Sequence, residues 1–178
     1  MHGFRNRQRT DSIVVHASLT SPDQKDHQGN PVGYKYLDRK HREDGAFECG
    51  YHWLILRDGA AVQCRHEDMI GNHCPGVNGI SVSVCMIGGH NDKGKPESNF
   101  TKDQWVTLHQ LMDALTRKYP EAEVVGHCDV AAEETSCPSF DVKDWWRKTQ
   151  ERKHLKENSD AEPTGQSEET NPGTPSVA

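Results

Sequence analysis

Ile80-Ser81-Val82-Ser83-Val84-Cys85-Met86-Ile87 alternates serine with apolar residues, becomes continuously apolar, and stops at Gly88-Gly89. A two-residue period running into an apolar stretch is the pattern of a buried strand, so this segment is expected at the centre of a sheet. Upstream, Ser12-Ile13-Val14-Val15-His16-Ala17 is β-branched and apolar and forms a second short strand, with His16 at its end. Tyr51-His52-Trp53-Leu54-Ile55-Leu56 is a third strand. The turn Arg57-Asp58-Gly59 leads to a return strand over Ala60–Cys64, because an Asp-Gly step favours a hairpin. Downstream, Glu123-Val124-Val125-Gly126 is a last short strand that runs directly into His127.

Helical periodicity appears between these strands. Tyr34–Asp44 lacks Pro and Gly and forms a surface helix stopped at Gly45. Thr101 and Gln104 make a capping box for a helix whose core face is Trp105, Leu108, Leu111, Met112 and Leu115, and Pro120 ends it. Phe140–Lys148 is a final helix with Trp145-Trp146 packing inward. Residues 19–33, 66–80 and 90–100 are rich in polar residues with Gly and Pro and form loops. The fold class is therefore α/β, a mixed central β-sheet flanked by helices in a single domain.

The 178 residues include only 33% hydrophobic residues, and the deficit is concentrated at the C-terminus. From Glu157 to Ala178 there is almost no large apolar residue, so too little surface can be buried to offset ordering entropy. Residues 151–178 are expected to form a disordered acidic tail, residues 1–9 a flexible arm with the basic cluster Arg5, Arg7 and Arg9, and residues 10–150 the folded domain. The net charge of −6 gives no argument for nucleic-acid binding. No apolar run approaches the roughly 18 residues of a membrane span, and the N-terminus lacks the apolar core of a signal peptide. A cytoplasmic monomer is expected. Without a secretory signal the six cysteines are expected as thiols or metal ligands, and the absence of a Cys-x-x-Cys pair argues against a structural zinc knuckle.

His16, His127 and Cys137 each sit at the end of an element or beside one, where functional side chains are usually presented. Two imidazoles and a thiolate would give a metal three protein ligands and leave a fourth position for water, the pattern of catalytic zinc. Spacing alone leaves the bland readings open: a surface or core histidine, and a buried thiol.

A longer set of segments resembles the type 2 N-acetylmuramoyl-L-alanine amidase family, which includes phage lysozymes and is related to peptidoglycan-recognition proteins. These are Val14-Val15-His16-Ala17-Ser18, Gly50-Tyr51-His52-Trp53-Leu54-Ile55, Arg57-Asp58-Gly59, Gly71-Asn72-His73, Val84 to Gly89, Gly126-His127 and Cys137-Pro138-Ser139-Phe140-Asp141, in one order across residues 10–147. The resemblance implies Zn2+ held by His16, His127 and Cys137, Tyr51 as the proton-handling or oxyanion-polarising group, and His73 in contact with substrate. Its implied activity is hydrolysis of the amide between N-acetylmuramic acid and L-alanine in peptidoglycan. The implied role is that of a phage endolysin made in the host cytoplasm, reaching the periplasm and wall through holin-made holes and causing host lysis.

Two departures stand out. Phage relatives carry a lysine just before the cysteine ligand, where this chain has Thr135. Because the segment between His127 and Cys137 is longer here, alignment from the His127 side places Glu133 there instead. Thr135 is the expected catalytic group, as a hydroxyl that donates a hydrogen bond but supplies no charge. The second departure is Lys40-His41, where many relatives have Trp-His. The competing functions are a non-catalytic peptidoglycan-binding module and, through the N-terminal arm, an inhibitor of phage RNA polymerase, as one phage relative is.

Overall fold

The computed structural model describes residues 5–160; residues 1–4 of the expected arm and 161–178 of the expected tail lie outside the described residues. Among the described residues, strands β1 (Ser12–Ala17), β2 (Trp53–Ile55), β3 (Ala61–Gln63), β4 (Ser81–Met86) and β5 (Glu123–Gly126) form one sheet in the order β3-β2-β4-β1-β5. The Ser/apolar stretch is the middle strand. It runs parallel to β1 and β2, and β1 runs parallel to β5. Within this sheet the β2–β3 pair alone is antiparallel, turning at Asp58-Gly59 with Gly59 at φ +85°.

Alternation along the strands sorts the molecule into two faces. Ile13, Val15 and Ala17 of β1 and Val82, Val84 and Met86 of β4 pack with Leu108, Met112 and Leu115 into the main core. These last three come from α2 (Lys102–Lys118). The same period of two turns His16, Ser81, Ser83 and Cys85 to the opposite face, where His16 and Cys85 are register partners. That second face carries a smaller cluster in which Leu37, from α1 (Tyr34–Glu43), packs with Cys49, Leu54 and Cys85.

Helix α2 begins as expected: Thr101 accepts from Gln104 N and Gln104 Oε1 accepts from Thr101 N. The fully buried Gln104 amide also donates to Ile55 O at 3.1 Å and Ile87 O at 2.9 Å, so the cap residue ties α2 to the sheet.

Four expectations change. β2 is shorter than Tyr51–Leu56, because the chain around Gly50 pairs with loops rather than with the sheet: Gly50 N donates to His41 Nδ1 and Gly50 O accepts from Asn72 N. A short helix, α3 (His127–Val130), follows β5 at once, with Asp129 accepting from Gly126 N at 2.8 Å. Residues 5–7 are not a free arm. Asn6 bridges Met69, Arg7 N donates to Asp68 O, and the Arg7 guanidinium donates to Ser81 O at 2.7 Å. Lastly, α4 (Val142–Asp160) runs well past Lys148 into the stretch expected to be disordered.

The described residues fall into two compact units that divide between Trp146 and Arg147. In the second, Arg147 and Glu151 pair at 2.6 Å one turn apart, and Glu, Lys and Arg are good helix formers that need no burial to be helical. No helix among the described residues is long and apolar enough to cross a membrane.

Candidate metal centre

Adjacent strands deliver the three expected ligands to one point. His16 is near the end of β1, and His127 opens α3 directly after β5, the strand beside β1. Cys137 is drawn back to the same place by Cys128 N donating to Cys137 O at 2.9 Å and by Ala17 N donating to Cys137 Sγ at 3.2 Å. The candidate ligand atoms of His16, His127 and Cys137 all lie within 4.8 Å of one another. The His16 and His127 rings are 4.4 Å apart between centroids, and Cys137 Sγ is 3.9 Å from His16 Nδ1. His16 and Cys137 are buried while His127 is partly exposed, so the cluster has one open side.

The electrostatics suit a cation. Burial, followed by the neighbouring His73, His127 and His41, holds His16 well below the usual imidazole range. Desolvation lowers His127 as well. Both rings are therefore neutral at pH 7 with a lone pair to offer. Burial pushes the Cys137 thiol up to about 12. A thiolate is stable there only with a positive charge beside it, which a metal cation would supply. Two neutral imidazoles and a buried thiol are a donor set that fits zinc.

Tyr51 lies beside this cluster, its ring 5.1 Å from that of His16 and 5.1 Å from that of His41. Two devices place it. His41 Nδ1 accepts from Gly50 N at 2.8 Å, and a Cβ at Gly50 would collide with Asn72 O, so only glycine permits this close crossing. Burial, then the thiols of Cys85, Cys137 and Cys49, hold the Tyr51 phenol well above its ordinary pKa. Thr135 Oγ1 accepts from Cys137 N at 3.2 Å. Thr135 and Glu133 both line a cavity of about 490 Å³ with His127, Cys74, Pro75 and Ala132, so this cavity opens onto the metal cluster.

His73 is also brought to the centre, but behind His16. Its Nδ1 is 3.0 Å from His16 Nε2 and its Nε2 is 3.1 Å from Ser81 Oγ, which leaves neither ring nitrogen for a substrate. Sequence reasoning assigned no role to Ser81 or to His41. The serine at every second position of β4 was the available signal for the first, and the histidine in the last turn of α1 for the second.

The family described as N-acetylmuramoyl-L-alanine amidase matches residues 6–140. The endolysin of Escherichia phage T7 is 41% identical over 147 residues, which is 83% of this chain and 92% of that relative. The endolysin of Klebsiella phage KP32 is 40% identical over the same share of each. Among solved structures, the endolysin amidase LysCS from Clostridium intestinale superposes with a TM-score of 0.68 at 24% identity, covering 84% of this chain and 88% of that one. With the match spanning both ends of the sheet and every element that carries the site, the chain belongs to the N-acetylmuramoyl-L-alanine amidase family.

Proposed function

We propose that the protein is a zinc-dependent phage endolysin that hydrolyses the amide joining N-acetylmuramic acid to L-alanine in peptidoglycan. The observation that carries this reading is the convergence of His16, His127 and Cys137 within 4.8 Å beside Tyr51. A bound zinc ion supplies Lewis acidity toward the amide carbonyl and brings a water towards neutral pKa. The chain's own groups do the rest. Tyr51 stays protonated through the working pH range and donates a hydrogen bond to the oxyanion as it forms. The Thr135 hydroxyl accepts from Cys137 N, which leaves its proton free to point at the same oxygen. The cavity lined by Pro75, Ala132, Glu133 and Thr135 also includes His127 in its wall and offers the substrate room beside the candidate ligands. Endolysin relatives support action at the cell wall, and on this reading the protein reaches it from the host cytoplasm through holin-made holes.

A binding module without catalysis would have no need of two neutral imidazoles and a buried thiol, so retention of the full donor set favours the enzyme. The test compares wild type with Cys137→Ala for bound zinc and for stem peptide released from purified peptidoglycan. One zinc per chain and peptide release, both abolished by the substitution, is the expected result. Muropeptide binding without zinc or cleavage in the wild type would make the protein a recognition module.

A further inference from the structure

The three-member chain behind the metal cluster carries information in its hydrogen bonds. Ser81 Oγ lies 2.7 Å from Val77 O and 3.1 Å from His73 Nε2. A backbone carbonyl can only accept, so the single hydroxyl proton goes to Val77 O. The serine oxygen then meets His73 as an acceptor, and two facing lone pairs would repel unless His73 Nε2 carries a proton. A neutral His73 with its proton on Nε2 has a bare Nδ1. That nitrogen sits 3.0 Å from His16 Nε2, which must therefore be the protonated nitrogen of His16. His16 Nδ1 is left as a lone pair, and it is the nitrogen that faces Cys137 Sγ at 3.9 Å.

The position of His73 is itself held. Its backbone N and that of Cys74 both donate to Asn78 Oδ1 at 2.8 Å. Gly71 allows the ring to approach, since a Cβ there would lie 2.6 Å from His73 Cδ2. Ser81 is fully buried on β4, on the face that also carries His16 from β1.

We propose that His73 and Ser81 are positioning residues: the relay from Val77 O through Ser81 and His73 selects the His16 tautomer whose Nδ1 is offered to the metal. This replaces the expected role of His73 as a substrate contact, and it rests on the zinc reading above. A ligating histidine whose far nitrogen is fixed by a hydrogen bond holds its ring orientation, and loss of such a partner typically weakens metal binding about 10–100-fold.

The test uses the full chain with Ser81→Ala, His73→Phe and the double substitution. Zinc affinity is measured by competition with a chelator, ring-nitrogen protonation by nitrogen-edited NMR on the metal-free protein, and folding by thermal melting of the same samples. The expected result is His16 protonated on Nε2 in the wild type, and zinc affinity reduced about 10–100-fold in each single variant. The double variant should be little worse than His73→Phe alone, because the serine acts only through the histidine. Ser81→Ala removes one oxygen and serves if His73→Phe fails to fold. A wild type with the His16 proton on Nδ1, or variants that are folded and bind zinc within twofold of wild type, overturns the relay. A wild type that takes up no zinc overturns the metal reading itself, a distinct outcome.

Discussion

At the scale of single residues, the site separates groups that bear charge from groups that only direct protons. Tyr51 lies beside the candidate metal ligand His16 and burial raises its phenol well above the usual pKa, so the chemistry it offers is hydrogen-bond donation. Tyr51→Phe should lower kcat by about 100–1000-fold, the cost of one oxyanion donor, while bound zinc stays at the wild-type level. An unchanged rate in the Phe variant would remove Tyr51 from the reaction. Thr135 and Glu133 line the same cavity, and Thr135 is hydrogen-bonded to the backbone of Cys137, a candidate ligand. Thr135→Ala is expected to slow turnover by about tenfold, the worth of one modest hydrogen bond, and Glu133→Ala to leave it near wild type. The opposite ranking would reassign the catalytic position to Glu133.

At the scale of elements, α2 and the hairpin hold the β3-β2 edge of the sheet, opposite the β1-β5 edge that carries His16 and leads into His127. Thr101 Oγ1 donates to Arg57 O, Thr107 Oγ1 donates to Gly59 O, and Gln104 reaches both Ile55 O and Ile87 O. A glutamine with no exposed surface is costly unless every polar atom is paired, and here Arg57 Nη1 and Thr101 N complete the oxygen side. Gln104→Leu keeps the volume but strands these partners. It should cost about 2–4 kcal/mol in urea unfolding with an unaltered m-value. A loss below ~1 kcal/mol would show that water or neighbouring groups satisfy the orphaned carbonyls. The β1, β5 and α3 succession matters equally, since it places one candidate ligand at or just beyond the end of each of two paired strands.

At the scale of the whole molecule, the polar face of the sheet makes stability depend on pH. His52 is fully buried, accepts from Ser83 N at Nδ1, and lies 2.9 Å from Met69 O at Nε2; burial lowers its pKa to about 4. The unfolded chain takes up that proton near pH 6.5 and the folded one only near 4, so the contribution is complete above 6.5 and is lost as pH falls between the two. Wild type should lose about 2 kcal/mol more than His52→Gln between pH 7 and pH 5. Parallel losses in urea melts would assign the acid lability elsewhere. The sequence by itself determined the elements whose signals are local: the period-two strand at Ser81–Met86, the Asp58-Gly59 turn, and the Thr101/Gln104 cap. Its motifs also singled out His16, His127 and Cys137, which the structure brings within 4.8 Å of one another. Local composition misjudged α4, because a lack of apolar residues excludes burial but not helix, and it gave no sign of the turn that makes His127 the first residue of α3. Only the tertiary structure decided that Ser81 and His73 stand behind His16 and that His41 braces the Tyr51 segment. Those relations depend on the register of strands far apart in the chain and on loops packed against them, and such contacts leave no periodic trace in any one segment.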